Sequence, residues 1–406
     1  MIRSAAIGIG AALWTAMSVI PANSQATPSE PIRIGVLDDM SGMFADQQGM
    51  GDAVAARMAV SDFGGKLLGR PIEVIHADHL NKTDVGAQIA RGWFDQQNVQ
   101  MITGLGNSAV ALAVQSISRD KNRIQMTTSG GTAELTGKSC SPNGTHWVFD
   151  TFALAKVTGS EAVRRGANSW YFITADYAFG HALEQDTAKI VKEAGGTVAG
   201  VSRYPGGSSD FASYLLRAQS SRAKVIGLAN SGSDMVNAVK QANEFGNVAG
   251  GQQLVALLAF TTNLKEAGLA ATKGLIFTEA FYWDQTEETR AFSKRFAALH
   301  HNRPPTSLQA GTYSATLHYL KAVAAAGTLD AATVMRKMRE LPVNDFMTKN
   351  GRLRQDGRLI RDMYLLQAKS PEESKGEWDL AKVIATVPGE QAFRPMNEGE
   401  CPLVKQ

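Results

Sequence analysis

Cysteine is nearly absent from this 406-residue chain, with Cys140 and Cys401 the only two. That excludes a cysteine-stapled scaffold and a thiolate metal centre. Histidine is sparse too: the seven residues show no ligand spacing, and His300-His301 stands alone in a polar stretch. No metal site and no cofactor is therefore expected. Charge of one sign is also lacking, since 41 basic residues face 38 acidic ones for a formal +3. Aromatics make up 7% and no basic stripe runs among them, so nucleic acid is not an expected partner. Long apolar runs are confined to the amino terminus, where Ala5 to Ile20 falls short of the roughly 20 residues a spanning helix needs. Low-complexity sequence is missing beyond Pro28-Ser29 and the polar Ser370 to Gly376 turn.

What is present begins with a leader. Met1 and Arg3 give a positive start, Ala5 to Ile20 an apolar run, Pro21 a break, and Ser24-Gln25-Ala26 a small-x-small cleavage signal. That layout predicts a secretory signal peptide over residues 1–26. No cysteine lies at its end, so the exported mature chain is expected to diffuse freely without a lipid anchor. In that oxidising compartment Cys140 and Cys401 read as one disulfide tying the tail to the first lobe; two buried thiols are the alternative.

The remaining length suits two or three domains. Strand and helix patterns alternate: Ile32 to Leu37, Pro71 to His76, Val99 to Gly104 and Ile124 to Thr127 read as strands, with helices from Gly49, Asp84 and Ser108. This βαβα rhythm predicts a parallel, doubly wound sheet. It restarts with strands at Ser169 to Thr174, Val198 to Tyr204, Val225 to Ala229 and Gln253 to Leu258, which predicts a second α/β lobe. Gly274 to Thr278 reads as a strand, followed by helices Thr286 to His300, Ser307 to Ala326 and Ala331 to Glu340. Arg358 to Gln367 and Trp378 to Ile384 read as a hairpin.

Enzyme signatures are missing. There is no Walker-type loop and no Gly-x-Ser-x-Gly elbow, and Gly104-Leu105-Gly106 lacks the third glycine of a dinucleotide fingerprint. Asp38-Asp39 and Glu287-Glu288 are paired carboxylates, but neighbours along a strand or helix diverge. Both pairs therefore read as solvent or loop carboxylates. His181 reads as a solvated first-turn residue and His146 as a packing residue, so no general base serves the hydroxyls and no enzymatic activity is expected.

Binding features are richer. Gly104 to Ser108, including Asn107, and Thr127 to Thr132, including Ser129 and Gly131, are small, hydroxyl-rich loops at carboxyl ends of strands. Free N–H groups at a helix start, with hydroxyl donors, suit a carboxylate; ordinary N-capping would also produce such loops. Tyr177, Phe179, Phe260, Phe281 and Tyr282 follow second-lobe strands. They predict stacking area for a flat solute, with core packing as the plain alternative.

Ile34-Gly35-Val36-Leu37 with Ser41-Gly42, Gly104 with Ser108, the run Thr128 to Thr136, Asp176 to Gly180 and Asp210-Phe211 together carry a resemblance. From Ile32 through Gln406 the chain resembles periplasmic solute-binding proteins of the branched-chain amino acid class, which serve ATP-driven importers. The resemblance implies a type I periplasmic binding protein: an α/β chain of two Rossmann-like lobes with parallel-rich sheets and a three-segment hinge near 147–152, 277–283 and 342–350. It implies lobe I over 27–148 and 280–345, lobe II over 149–279 and 346–390, and a tail 391–406 tied back to lobe I. A membrane permease is the implied protein partner, and the chain is expected to be a monomer. The ligand carboxylate would meet Ser108, Ser129 and Gly131, with Asn107 and Thr132 adjacent. Phe179 would line the cleft, joined by Tyr177, Ser231, Phe260, Phe281 and Tyr282.

Amino acid binders of this class hold the ligand ammonium with an acidic residue near the end of a second-lobe strand. Here Leu257 to Phe260 holds no carboxylate, and Asn230-Ser231-Gly232 holds no tyrosine. A buried ammonium without an anionic partner is unfavourable. An aromatic or apolar carboxylate is therefore the expected ligand, before amino acids, amides or urea-like solutes. The Ala175 to His181 and Glu279 to Asp284 segments resemble the subgroup associated with aromatic acids. An exported sensory binding protein is the rival role.

Overall fold

The structure, a computed structural model, describes residues 1–2 and 30–404. The core and cleavage signal of the expected leader, and Gln406, lie outside the described residues.

Six strands form the first sheet: β1 (Ile32–Asp38), β2 (Lys66–Leu67), β3 (Arg70–Asp78), β4 (Val99–Gly104), β5 (Ile124–Thr127) and β6 (Gly144–His146). Their spatial order is β2-β3-β1-β4-β5-β6. β1 runs parallel to both β3 and β4, and the winding reverses between β1 and β4. Ile32, Ile34, Val36 and Leu37 are fully buried because helices cover both faces of such a sheet. Ile34 shares a core with Val60 and Leu320, from helices Gly49–Phe63 and Ser307–Ala326. Leu37 packs on the other side with Trp93, Phe94 and Val110.

The second sheet contains β7 (Ser169–Ala175), β8 (Thr197–Tyr204), β9 (Val225–Ala229) and β10 (Gln253–Ala256) in the order β10-β9-β7-β8, all parallel. Beside it lies an antiparallel sheet of β11 (Ile276–Glu279), β14 (Met363–Ala368) and β15 (Ala381–Val387). Phe277 and Leu366 join Ile173 and Leu228 in one core. The expected strand at Trp378 starts later, at Ala381, because the Trp378 carbonyl accepts from Trp283 Nε1 at 3.1 Å. A helical segment from Thr151 to Arg164, with a π-type turn over Ala155–Gly159, had no clear sequence signal.

The third crossing differs from expectation. After residues 342–350 the chain forms a hairpin, β12 (Arg352–Leu353) with β13 (Leu359–Ile360). Arg358 bridges His146 in parallel and so extends the first sheet. The expected single strand Arg358 to Gln367 breaks between Ile360 and Met363 because two buried arginines turn toward the other crossings. Arg358 Nη1 donates to the Phe149 carbonyl at 3.0 Å, faces Asp150 at 3.5 Å and lies over the Phe393 ring at 4.5 Å. Arg361 Nη2 donates to the carbonyls of Ala280 and Met347, each at 2.5 Å.

Cys140 and Cys401 form a disulfide with a Cα separation of 5.7 Å, closing a sequence separation of 261 residues. Long closed loops restrict the unfolded chain most. Reduction is expected to lower stability by about 2–5 kcal/mol. Thermal melts with and without a thiol reductant check this, and a C140S/C401S variant melting with the oxidised protein would contradict it.

Candidate solute-binding cleft

The two donor-rich loops leave β4 and β5 side by side at the winding reversal. Gly104 has φ +92° and no room for a side chain, since a Cβ would lie 2.1 Å from Asp38 Oδ2. Leu105 follows with φ +68°, a strained conformation for a leucine, and is fully buried. The Gly104 carbonyl accepts from the amides of Thr128 and Ser129, both at 3.1 Å, which locks the two loops together.

The expected first-lobe residues do converge, and each already makes a protein hydrogen bond, Asn107 and Ser108 as acceptors and Ser129 as a donor. Asn107 caps its helix by accepting from the Ala109 amide at 2.9 Å. Ser108 Oγ accepts from the Thr132 amide at 3.1 Å. Ser129 Oγ donates to Asp52 Oδ2 at 3.0 Å, and the Gly106 amide donates to Asp38 Oδ1 at 2.8 Å. Gly131 is a point of close approach between lobes: a Cβ there would lie 2.7 Å from the Phe179 ring and 3.1 Å from Phe149. Phe260 lies 6.3 Å from Phe149 and Tyr177 6.1 Å from Phe179, centroid to centroid.

Two expected aromatics do not belong to this group. Phe281 packs with Phe292, Phe346 and Tyr313, because the chain after β11 turns under the first-lobe helices. Tyr282 is buried in the second-lobe core, where its hydroxyl donates to the Ala381 carbonyl at 2.8 Å. Ser231 faces the first lobe and donates to Gln47 Oε1 at 3.3 Å. The Ser233 amide donates to the Met43 carbonyl at 3.4 Å. Around these contacts a groove of about 530 Å³ opens among Gly42, Met43, Gln47, Gly207, Ser233 and Glu266. A cavity of about 560 Å³ lies elsewhere in the second lobe, near Arg165, Gln252 and Lys273, and no expected site residue lines it.

Residues 31–377 match the family model described as periplasmic binding protein. The chain belongs to that family. A periplasmic binding protein from Burkholderia mallei is 46% identical, with a TM-score of 0.90 over 93% of this chain and 100% of that one. A branched-chain amino acid ABC transporter periplasmic ligand-binding protein from Burkholderia xenovorans is 38% identical, with a TM-score of 0.83 over 92% and 99%. The fold alone is shared, at 19% identity and a TM-score of 0.78 over 88% and 97%, with a Rhodopseudomonas palustris solute-binding protein solved with benzoate. The curated relative from Brucella melitensis, Leu/Ile/Val-binding protein homolog 6, is 24% identical over 60% of this chain, which spans 62% of its length.

Several polar groups of this periplasmic binding protein escaped sequence reasoning. Asp38 and Asp39 are both fully buried, not solvent carboxylates. Asp39 folds the following loop by accepting from the amides of Gly42 and Phe44 at 2.8 and 2.9 Å, and from Asn81 Nδ2 at 2.5 Å. Glu287 and Glu288 behave as expected: they open a helix, and the exposed Glu288 pairs with Lys349 at 2.5 Å. His181 likewise pairs with exposed Asp176 at 2.7 Å, and buried His146 contacts the Gly130 carbonyl at 2.6 Å.

The acidic residues missing from Leu257 to Phe260 occur elsewhere. Glu279 ends β11, where the Ser307 hydroxyl of the first lobe donates to its carboxyl, and burial holds its pKa well above the usual range. Asp234, one turn into the helix after Ser231, accepts from the Gly207 amide at 3.0 Å. Both amide atoms of Asn230, Tyr204 Oη, Asp234 Oδ1 and both amide atoms of Gln48 are buried without a protein partner among the described residues. A charged residue closing an apolar strand was the available signal for Glu279. For Gln48 and Asn230 there was none, since amides are ordinary loop residues.

Burial pushes Asp234 up to about 6. Its native state then binds a proton more tightly than the unfolded chain, so this residue's contribution to stability falls as pH rises from about 4 to about 6. Asp234→Asn is expected to gain stability relative to the parent across that window, as melts from pH 4 to 7 would read. A constant difference across the window would contradict the assignment.

Proposed function

We propose that this protein is the solute-binding component of an ATP-driven importer, capturing a small solute between its lobes by hinge closure and presenting the closed form to a membrane permease. The closed form makes contacts from both lobes at once, so a ligand shifts the open–closed equilibrium by its differential affinity for it. Family membership and the cross-lobe bonds of Ser231 and Ser233 support this reading.

The solute is a small, flat molecule bearing nitrogen-bound protons, an amide or an amino acid, before a simple carboxylate. One observation carries this: Gln48 and Asn230 belong to opposite lobes, each one residue from the Gln47–Ser231 bond, and each buries an amide without a protein partner. An unpartnered buried polar group costs about 1–3 kcal/mol, which a ligand with both donors and acceptors would offset. The Phe149, Phe179 and Phe260 rings suit its apolar part. The same rings, and the shared fold with a benzoate complex, favour an aromatic acid as the second reading.

Titration calorimetry against leucine, benzamide, urea and benzoate tests the choice. An amide or amino acid is expected to bind, and Asn230→Ala to weaken it by about 1–3 kcal/mol, about 5- to 150-fold. Binding of benzoate alone would overturn the leading class in favour of the second. Small-angle scattering without compaction on binding would overturn closure.

A further inference from the structure

The second lobe holds a cavity of about 560 Å³, within the size range of small-molecule sites. It lies in a split between the lobe's two sheets. β10 is an end strand of the parallel sheet and β11 an end strand of the antiparallel one, and no ladder joins them. Their Cα atoms come within 8 Å of each other in places, and the cavity opens between their amino-terminal ends. The cleft side is the opposite end: Phe260 follows β10, and Glu279 closes β11. Hydrogen-bond alternation leaves one edge of each strand open. The amides of Gln253 and Leu257 donate to the carbonyls of Lys224 and Leu228 on the β9 side at 2.8 and 3.3 Å, so the main-chain groups of Leu254 point toward β11. The Leu275 carbonyl accepts from the Ala368 amide at 2.9 Å on the β14 side, so the main-chain groups of Ile276 point toward β10.

The lining is apolar inside and basic at the rim. Ala162, Val255 and Leu275 are buried and form the walls. Arg165 and Lys273 are exposed, and no acidic residue lines the cavity among the described residues. Arg165 Nε donates to Glu161 Oε1 at 2.6 Å, but Glu161 also accepts from Arg164 Nη2 at 2.6 Å. Two cations therefore share one acid, and Arg165 keeps its Nη protons. Lys273 makes no ion pair among the described residues, and the acid it acts on, Glu372, is itself exposed. We propose that this seam is a second ligand site, separate from the cleft, that takes a small carboxylate with an apolar chain. The chain lies between Val255 and Leu275, and the carboxylate meets Arg165, Lys273 and the open amides of Leu254 and Ile276. A peptide strand does not fit as the occupant: pairing with both edges needs β10 and β11 two ladder spacings apart, about 9.6 Å, and they come closer than that. A cationic head group would meet only like charge. The rim cations stay in water, so apolar burial sets the affinity and the charge sets the selectivity.

The probe is octanoate, with ω-bromooctanoate for crystals because its bromine marks its own position by anomalous scattering. Bromine density is expected between Val255 and Leu275, and calorimetry is expected to show saturable octanoate binding with a Kd below about 1 mM. Octylamine, of equal chain length, is expected to bind at least about tenfold more weakly. The variant R165Q/K273Q changes two exposed residues and is expected to lose octanoate about five- to tenfold. Leu254→Trp fills the space from its half-buried wall and is expected to abolish binding with both cations in place. Asn230→Ala, in the cleft, is expected to leave octanoate binding unchanged. A folded parent that takes up no octanoate would overturn the seam site. So would bromine density confined to the cleft, or octanoate binding that Asn230→Ala removes and R165Q/K273Q keeps. Equal binding of octanoate and octylamine would overturn the assigned ligand class. Each of these outcomes leaves solute capture in the cleft as it stands, because that is read separately with leucine, benzamide and urea.

Discussion

Everything in this molecule turns on how three chain crossings are held between two lobes. Two buried arginines do it. Arg358 ties the third crossing to the first through the Phe149 carbonyl and Asp150, and Arg361 reaches the carbonyls of Ala280 and Met347. A guanidinium offers five donors in a fixed fork, so one side chain can satisfy several strand-end carbonyls that no neighbouring strand covers. Asp150 also caps the next helix by accepting from the Ala153 amide at 2.8 Å, which joins the clamp to the second lobe's first helical segment. The clamp is not fully satisfied: Arg358 Nη2 and Arg361 Nε and Nη1 are buried without a protein partner among the described residues, which is costly for a buried cation.

The cleft inherits its geometry from that clamp. Because the crossings are short and anchored, the carboxyl edge of the first sheet faces the second lobe, and Gly131 meets Phe179 with no space for a methyl group. The interior is acidic and amide-rich. Asp38, Asp52, Asp234 and Glu279 are all buried, and burial raises the pKa of each. Polar groups in such a place are stable only when paired, which makes the unpaired amides of Gln48 and Asn230 the most informative atoms in the site.

Much of the fold was legible in the chain. The βαβα rhythm located eight of the strands because parallel strands covered by helices read as apolar runs bounded by turns. The same logic failed at Arg358 to Gln367, where periodicity could not reveal that buried arginines would break the strand to reach carbonyls far away in sequence. The candidate site was half legible. Ser108, Ser129, Gly131 and Phe179 stood out because glycine and hydroxyls at strand ends have a local cause. Phe281 and Tyr282 were misplaced because an aromatic after a strand looks alike whether it packs inward or lines a cleft. Asp38 was misread because alternation along a strand says nothing about what a neighbouring helix brings to the same point.

The sequence by itself determined the architecture, the absence of catalytic signatures and the family resemblance, since these depend on local pattern, composition and motif order. Only the tertiary structure decided which polar groups lose water, and therefore which protons are spent and which are free. That quantity belongs to contacts such as those between Asp52 and Ser129, or between Glu279 and Ser307, and not to any residue alone. Desolvation is a property of the assembled interior, so ligand chemistry was written where the two lobes meet.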